Sequence, residues 1–231
     1  KWILKDRCRL VLIQGMGGIG KTALSIKLLE NIYGEFDYCI WRSLREAPPV
    51  EKILSDLIKF LSNQQEVHLP ETVGDIVTRL IHYLNESRCL LVLDNVESIL
   101  KGRVKTGRYL EGYEEYGTLI SRISESRHQS CLILTSREKP RELGRNEGPN
   151  RPVHTLSLNG LDNSAGCIFL KAEGLDGENA QWQHIVTHYS GNPLALKIIA
   201  NTIQDLFGGD VDIFLKQGGG VFGDIRDLLE Q

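Results

Sequence analysis

Leu10-Val-Leu-Ile-Gln-Gly15-Met-Gly-Gly-Ile-Gly20-Lys21-Thr22 is the stretch on which the reading of this chain turns. An apolar run breaks into glycines and restarts as a helix near Ala23, which reads as strand, phosphate loop, helix. Gly15, four further residues, then Gly20, Lys21 and Thr22 satisfy every fixed position of the phosphate-loop pattern. Glycines let successive backbone N–H groups curl round a phosphate without Cβ clashes, and the following helix turns its positive N-terminus to the same anion. Lys21 is the candidate for the β- and γ-phosphates and the Thr22 hydroxyl the candidate for Mg²⁺.

Gly15-x-Gly17-x-x-Gly20 also fits the dinucleotide-binding fingerprint. That reading wants an acidic residue about 20 positions on, at the end of the second strand. The second β-rich run, Phe36 to Trp41, ends in Trp41-Arg42, and the Lys21-Thr22 pair has no role in such a site.

Leu90-Leu-Val-Leu-Asp94 carries the complementary signal: large aliphatics that deliver one carboxylate at the C-terminal end of a strand, where ligands of open α/β sheets bind. This is the Walker B arrangement, and it makes Asp94 the partner of Thr22 for Mg²⁺. A buried strand ending in an aspartate is common by itself, so the assignment leans on the loop upstream. The next residue is Asn95, where many motor ATPases carry a glutamate that activates water; an amide cannot accept that proton. Glu97 lies two positions on and reaches the same place only if the turn re-aims it. Slow hydrolysis is the expectation.

Cys131-Leu-Ile-Leu-Thr-Ser-Arg137 is a further buried strand ending in hydroxyls and a cation. Arg137 is placed to sense a γ-phosphate, although it also opens a charged run through Lys139, Arg141, Arg145 and Arg151 and could be an ordinary surface arginine. The stretch from Lys101 to Gly117 mixes Arg103, Lys105 and Arg108 with Tyr109, Tyr113 and Tyr116. Glu111, Glu114 and Glu115 oppose a nucleic-acid grip, so a solvated or partner-contact loop is expected.

Helical periodicity places core faces on Val50, Ile53, Leu54, Leu57, Ile58 and Leu61, and on Val73, Ile76, Val77, Leu80, Ile81 and Leu84. Val153 to Leu158 is the last β signal. Helices follow over Leu161 to Glu173, Gln181 to Tyr189 and Leu194 to Phe207, with Ser190-Gly-Asn-Pro193 punctuating the last two. The expected division is a nucleotide-binding domain over 1–158, a helical domain over 159–217, and a linker with the start of another domain over 218–231.

With 231 residues, 41% of them hydrophobic, the chain can bury a real core, and its net charge of −3 gives no basic field for nucleic acid or an anionic membrane. Apolar runs such as Cys89 to Leu93 are too short to span a bilayer. The five cysteines show no Cys-x-x-Cys spacing and read as reduced, mostly buried thiols of a cytoplasmic protein. His184 and His188, four apart on a helix, lack a third metal ligand in view.

These motifs together resemble the NB-ARC family of STAND-class nucleotide switches, which includes apoptosome and plant disease-resistance ATPases and many bacterial regulators. The resemblance rests on GMGGIGKT at Gly15 to Thr22, FDYCIWRSL at Phe36 to Leu44, LLVLDNV at Leu90 to Val96, LILTSR at Leu132 to Arg137, NGLD at Asn159 to Asp162 and GNPLAL at Gly191 to Leu196. It is nearest in look to cyanobacterial proteins in which this module precedes WD-repeat propellers. It implies an α/β fold, a five-stranded parallel P-loop NTPase sheet with flanking helices in which the Arg137 strand lies between the loop strand and the Asp94 strand, followed by a small all-helical domain.

The resemblance also implies ADP or ATP with Mg²⁺ as ligands and slow ATPase turnover, with Lys21, Asp94 and Arg137 acting on the phosphates. Met16, Gly17, Gly18 and Ile19 would line the phosphates through backbone N–H groups, with Gly15, Gly20 and Ala23 completing the cradle, and Pro193 would pack near adenine and phosphates. A plain helix-start proline remains the simpler reading of that residue. Family members carry a Gly-Arg segment upstream and a winged-helix histidine downstream, neither of which falls within these residues. A core piece of a larger switch, with weakened nucleotide affinity, is therefore expected. Its expected partners are its own winged-helix and WD-repeat domains and a nucleotide-dependent homo-oligomer. The rival is a module that holds ADP without hydrolysis and works as a scaffold. No Asn-Lys-x-Asp guanine reader occurs, so adenine is the expected base.

Overall fold

The structure is a computed structural model that describes residues 1–66, 68–102, 107–148 and 150–216. The expected linker over 218–231 and two basic residues of the tyrosine-rich stretch, Arg103 and Lys105, lie outside the described residues. The chain divides into two compact units, Lys1–Gln14 with Lys21–Ser157, and Gly15–Gly20 with Leu158–Gln231.

The first unit is built on five parallel strands, β1 (Leu10–Gln14), β2 (Tyr38–Ser43), β3 (Cys89–Asp94), β4 (Cys131–Ser136) and β5 (Val153–Ser157), in the order β2-β3-β4-β1-β5. The Arg137 strand therefore lies between the loop strand and the Asp94 strand, as the resemblance implies. Every residue of β3 and β4 is buried, which is why these segments read as unbroken aliphatic runs without alternation. Helices α2 (Val50–Leu61), α3 (Val73–Glu86) and α4 (Glu115–Glu125) bury their apolar stripes in one core with Leu10, Leu12, Leu91, Leu93, Leu132 and Leu134. Helix α1 (Lys21–Ile32) packs on β4.

Two expectations change. The second strand runs over Tyr38–Ser43 rather than Phe36 to Trp41, because the Phe36 N–H closes a short 3-10 turn on the Tyr33 carbonyl and pairing with β3 begins only at Tyr38. The tyrosines after Lys101 turn inward instead of forming a solvated or partner-contact surface. Tyr109 and Tyr116 are buried, and the hydroxyls of Tyr109, Tyr113 and Tyr116 donate to Glu142 Oε2, the Ala47 carbonyl and the Pro48 carbonyl at 2.9, 2.7 and 2.8 Å. Each ring brings apolar area into the core while its hydroxyl finds an acceptor there.

The second unit contains α5 (Asn163–Ala172), α6 (Asn179–His188), α7 (Pro193–Phe207) and α8 (Val211–Lys216), packed round Leu170, Ile185, Leu196, Ile199, Ile203 and Phe214. Asp162 and Asn192 cap α5 and α7 through side-chain oxygens that accept from first-turn N–H groups. All five cysteines are free thiols, with Cys8, Cys89 and Cys131 buried and Cys39 and Cys167 part-buried. No helix of the described residues is long and apolar enough to cross a membrane.

Candidate nucleotide site

The first unit gathers Lys21, Thr22, Asp94, Thr135 and Arg137 at the ends of β3 and β4 and the start of α1. Thr22 Oγ1 donates towards Asp94, 3.0 Å from Oδ1 and 3.2 Å from Oδ2. Thr135 Oγ1 donates to Asp94 Oδ1 at 2.5 Å and accepts from the Asn95 N–H at 3.0 Å. Asp94 is buried because β3 is covered on both faces, and this hydroxyl pair is what makes its carboxylate tolerable there. Lys21 is buried too, and burial pushes its ammonium below the ordinary lysine range; Glu97 opposes that shift, Arg137 adds to it, and Asp94 opposes it.

Sequence reasoning left Glu97 unplaced. Asn95 adopts a left-handed conformation, φ +65°, and the chain enters a 3-10 turn over Val96–Ile99. Asparagine tolerates that conformation better than most residues, and the turn brings Glu97 beside Arg137. Its Oε1 lies 3.7 Å from Arg137 Nε, and its Oε2 is buried without a hydrogen-bond partner among the described residues.

A hydroxyl and a single carboxylate are hard oxygen donors of the kind Mg²⁺ uses when phosphates and water complete its shell. Among the described residues no three or more His, Cys, Asp or Glu side chains are grouped so that they could hold a metal ion.

In the second unit the loop Gly15–Gly20 is organised by the start of α7. Gly18 and Gly20 have φ of +72° and +101°, values that L side chains rarely adopt. Asn192, buried, has two jobs: its Oδ1 accepts from the Leu194 and Ala195 N–H groups at 3.0 and 3.3 Å, and its Nδ2 donates to the Gly17 carbonyl at 2.8 Å. The Leu194 N–H also donates to the Gly18 carbonyl at 3.3 Å. Two loop carbonyls are thereby turned onto the helix start. Pro193 fills the first position of α7, while Met16 and Ala23 are exposed. An asparagine before a proline announces the cap; nothing in the sequence announces its bond to Gly17.

Residues 1–107 match the NB-ARC domain family. That match covers 107 of the chain's 231 residues. Over 243 aligned residues, all of this chain and 19% of the relative, it is 48% identical to an uncharacterised WD repeat-containing protein of Nostoc sp.. A disease resistance-like protein of Arabidopsis thaliana is 28% identical over 99% of this chain and 18% of its own length. The chain thus spans about a fifth of these curated relatives. A Signal Transduction ATPase with Numerous Domains (STAND) protein with a tetratricopeptide repeat sensor from Pyrococcus horikoshii has the same fold, with a TM-score of 0.62 at 19% identity over 86% of this chain and 28% of its own. The five-stranded parallel sheet with its flanking helices is thus P-loop NTPase-like in fold.

Proposed function

We propose that this NB-ARC module binds ADP and Mg·ATP as the switch of a larger signalling protein and hydrolyses ATP slowly. The convergence of the Thr22 hydroxyl on the buried Asp94 carboxylate carries the reading, because it joins the two residues that phosphate-loop and Walker B positions require to share one Mg²⁺. Mg²⁺, when bound, would neutralise charge on the phosphate oxygens.

The chain's own residues divide the remaining work. Gly15, Met16, Gly17, Gly18, Ile19, Gly20 and Ala23 offer backbone to the phosphates, and Lys21 and Arg137 meet the charge on the terminal phosphoryl group. Thr135 holds Asp94 in place, and Pro193 is assigned to the nucleotide side of α7. Asn95 limits turnover, since its amide cannot take a proton from water. The same residue favours the second reading, an ADP-holding scaffold without turnover. The proposed partners are winged-helix and WD-repeat domains of the parent protein and further copies of the chain in the ATP state, in the cytoplasm. The WD repeats of the Nostoc relative support the WD-repeat domains among these.

Denaturing the purified protein and identifying the released nucleotide by chromatography, before and after incubation with labelled Mg·ATP, tests the proposal. Released ADP that ATP replaces is the expected result. Bound ADP that never exchanges would leave the scaffold, and absence of both ADP and ATP uptake would overturn nucleotide binding by this chain.

A further inference from the structure

Glu97 faces Arg137, one of the two cations to which the nucleotide reading gives the terminal phosphate: its Oε1 is 3.7 Å from Arg137 Nε. Its other oxygen, Oε2, is buried and accepts no hydrogen bond from the described residues. The turn that carries it is anchored: Val96 and Ile99, its first and last residues, are both fully buried, and the Leu100 N–H donates to the Glu97 carbonyl at 3.2 Å.

Resting on the nucleotide reading, we propose that Glu97 is a specificity-determining residue that sets the module's preference for a nucleoside diphosphate over a triphosphate. A γ-phosphate must take Arg137 from Glu97 and then sit beside a part-desolvated carboxylate of like charge, where repulsion is weakly screened. A diphosphate needs neither step, because the loop and Lys21 serve its β-phosphate without Arg137. The carboxylate thus occupies, in charge, the place of the third phosphate.

The test is titration of ADP and Mg·ATP against the wild-type chain, Glu97→Gln and Glu97→Asp, with thermal unfolding of each protein. Glutamine keeps shape and removes charge; aspartate keeps charge and withdraws it by one methylene. The wild type is expected to bind ADP more tightly than Mg·ATP. In Glu97→Gln the Kd ratio should move towards ATP by about tenfold or more, a change of ~1.4 kcal/mol or more, with the ADP Kd altered less than about threefold. Glu97→Asp should fall between, and reads the same ratio if the glutamine variant is unstable.

A ratio unchanged in both variants, with nucleotide still bound, overturns this inference alone. Loss of turnover at an unchanged ratio also overturns it, and assigns Glu97 to water activation instead. A wild type that binds neither nucleotide overturns the nucleotide reading and this inference with it.

Discussion

The Thr135 hydroxyl joins the end of β4 to the end of β3 twice, donating to Asp94 Oδ1 at 2.5 Å and accepting from the Asn95 N–H at 3.0 Å. Thr135 is fully buried, so water cannot replace either bond. Valine at this position keeps the volume and removes the hydroxyl, leaving the part-buried Asn95 N–H without its acceptor and the buried Asp94 carboxylate with the Thr22 hydroxyl as its remaining donor. Thr135→Val should lower stability by about 1–3 kcal/mol in chemical denaturation, while Thr135→Ser retains most of it. Mg·ATP affinity should fall with it, since Asp94 loses the bond that orients it. Equal midpoints for the valine and serine variants would show that the hydroxyl carries no stability.

Lys21 is the residue on which phosphate binding turns. Its ammonium is buried; burial lowers its pKa and Glu97 opposes that shift, so an anion bound beside it would further favour the charged form. Lys21→Ala is expected to abolish nucleotide binding in titration and to leave the circular dichroism spectrum unchanged. An unaltered nucleotide Kd would remove the phosphate-loop assignment.

The sheet and the Walker pair were legible because burial on both faces writes itself as an aliphatic run, and because Thr22 and Asp94 stand at ends of such elements. Glu97 was hidden by one backbone torsion: without the left-handed Asn95 a carboxylate three residues after Asp94 points elsewhere. The inward tyrosines at 109, 113 and 116 have the i, i+4, i+7 spacing of a helix face, but Gly107, Gly112 and the charged residues among them read as a solvated loop. The bond from Asn192 to Gly17 spans 175 positions and is a matter of packing. Helix α8 is one short run, Val211–Lys216, too brief to show a period.

Gly18 and Gly20 both have positive φ yet differ in surroundings. A Cβ on Gly18 would stand 2.6 Å from Leu194 Cβ and 3.0 Å from Asn192 Oδ1, whereas one on Gly20 would meet nothing within 4 Å. Alanine at either position pays a conformational cost of roughly 1–2 kcal/mol, and at position 18 it also strikes the start of α7. Gly18→Ala should therefore be the less stable variant and the weaker nucleotide binder. Adding Leu194→Ala should not rescue it, because alanine keeps the Cβ that is struck. A Gly20→Ala protein that melts below Gly18→Ala would contradict this account of the loop.

His128 gives the fold an acid sensitivity of known sign. Burial pushes its pKa below the ordinary histidine value, the Ile123 carbonyl, 2.9 Å from Nε2, pulls the other way, and Arg9 lowers it further. The neutral ring is therefore the form the fold prefers. Above the unfolded-state pKa, about 6.5, both states are neutral and the stabilisation is complete. As pH falls below it, the unfolded chain takes up a proton before the folded one does, so stability declines until the folded pKa is passed. His128→Gln keeps an N–H for the Ile123 carbonyl and cannot titrate. Denaturation curves from pH 8 to pH 5 should show the wild type losing stability faster than this variant below about pH 6.5, and superimposable pH dependences would mean that His128 titrates alike in both states.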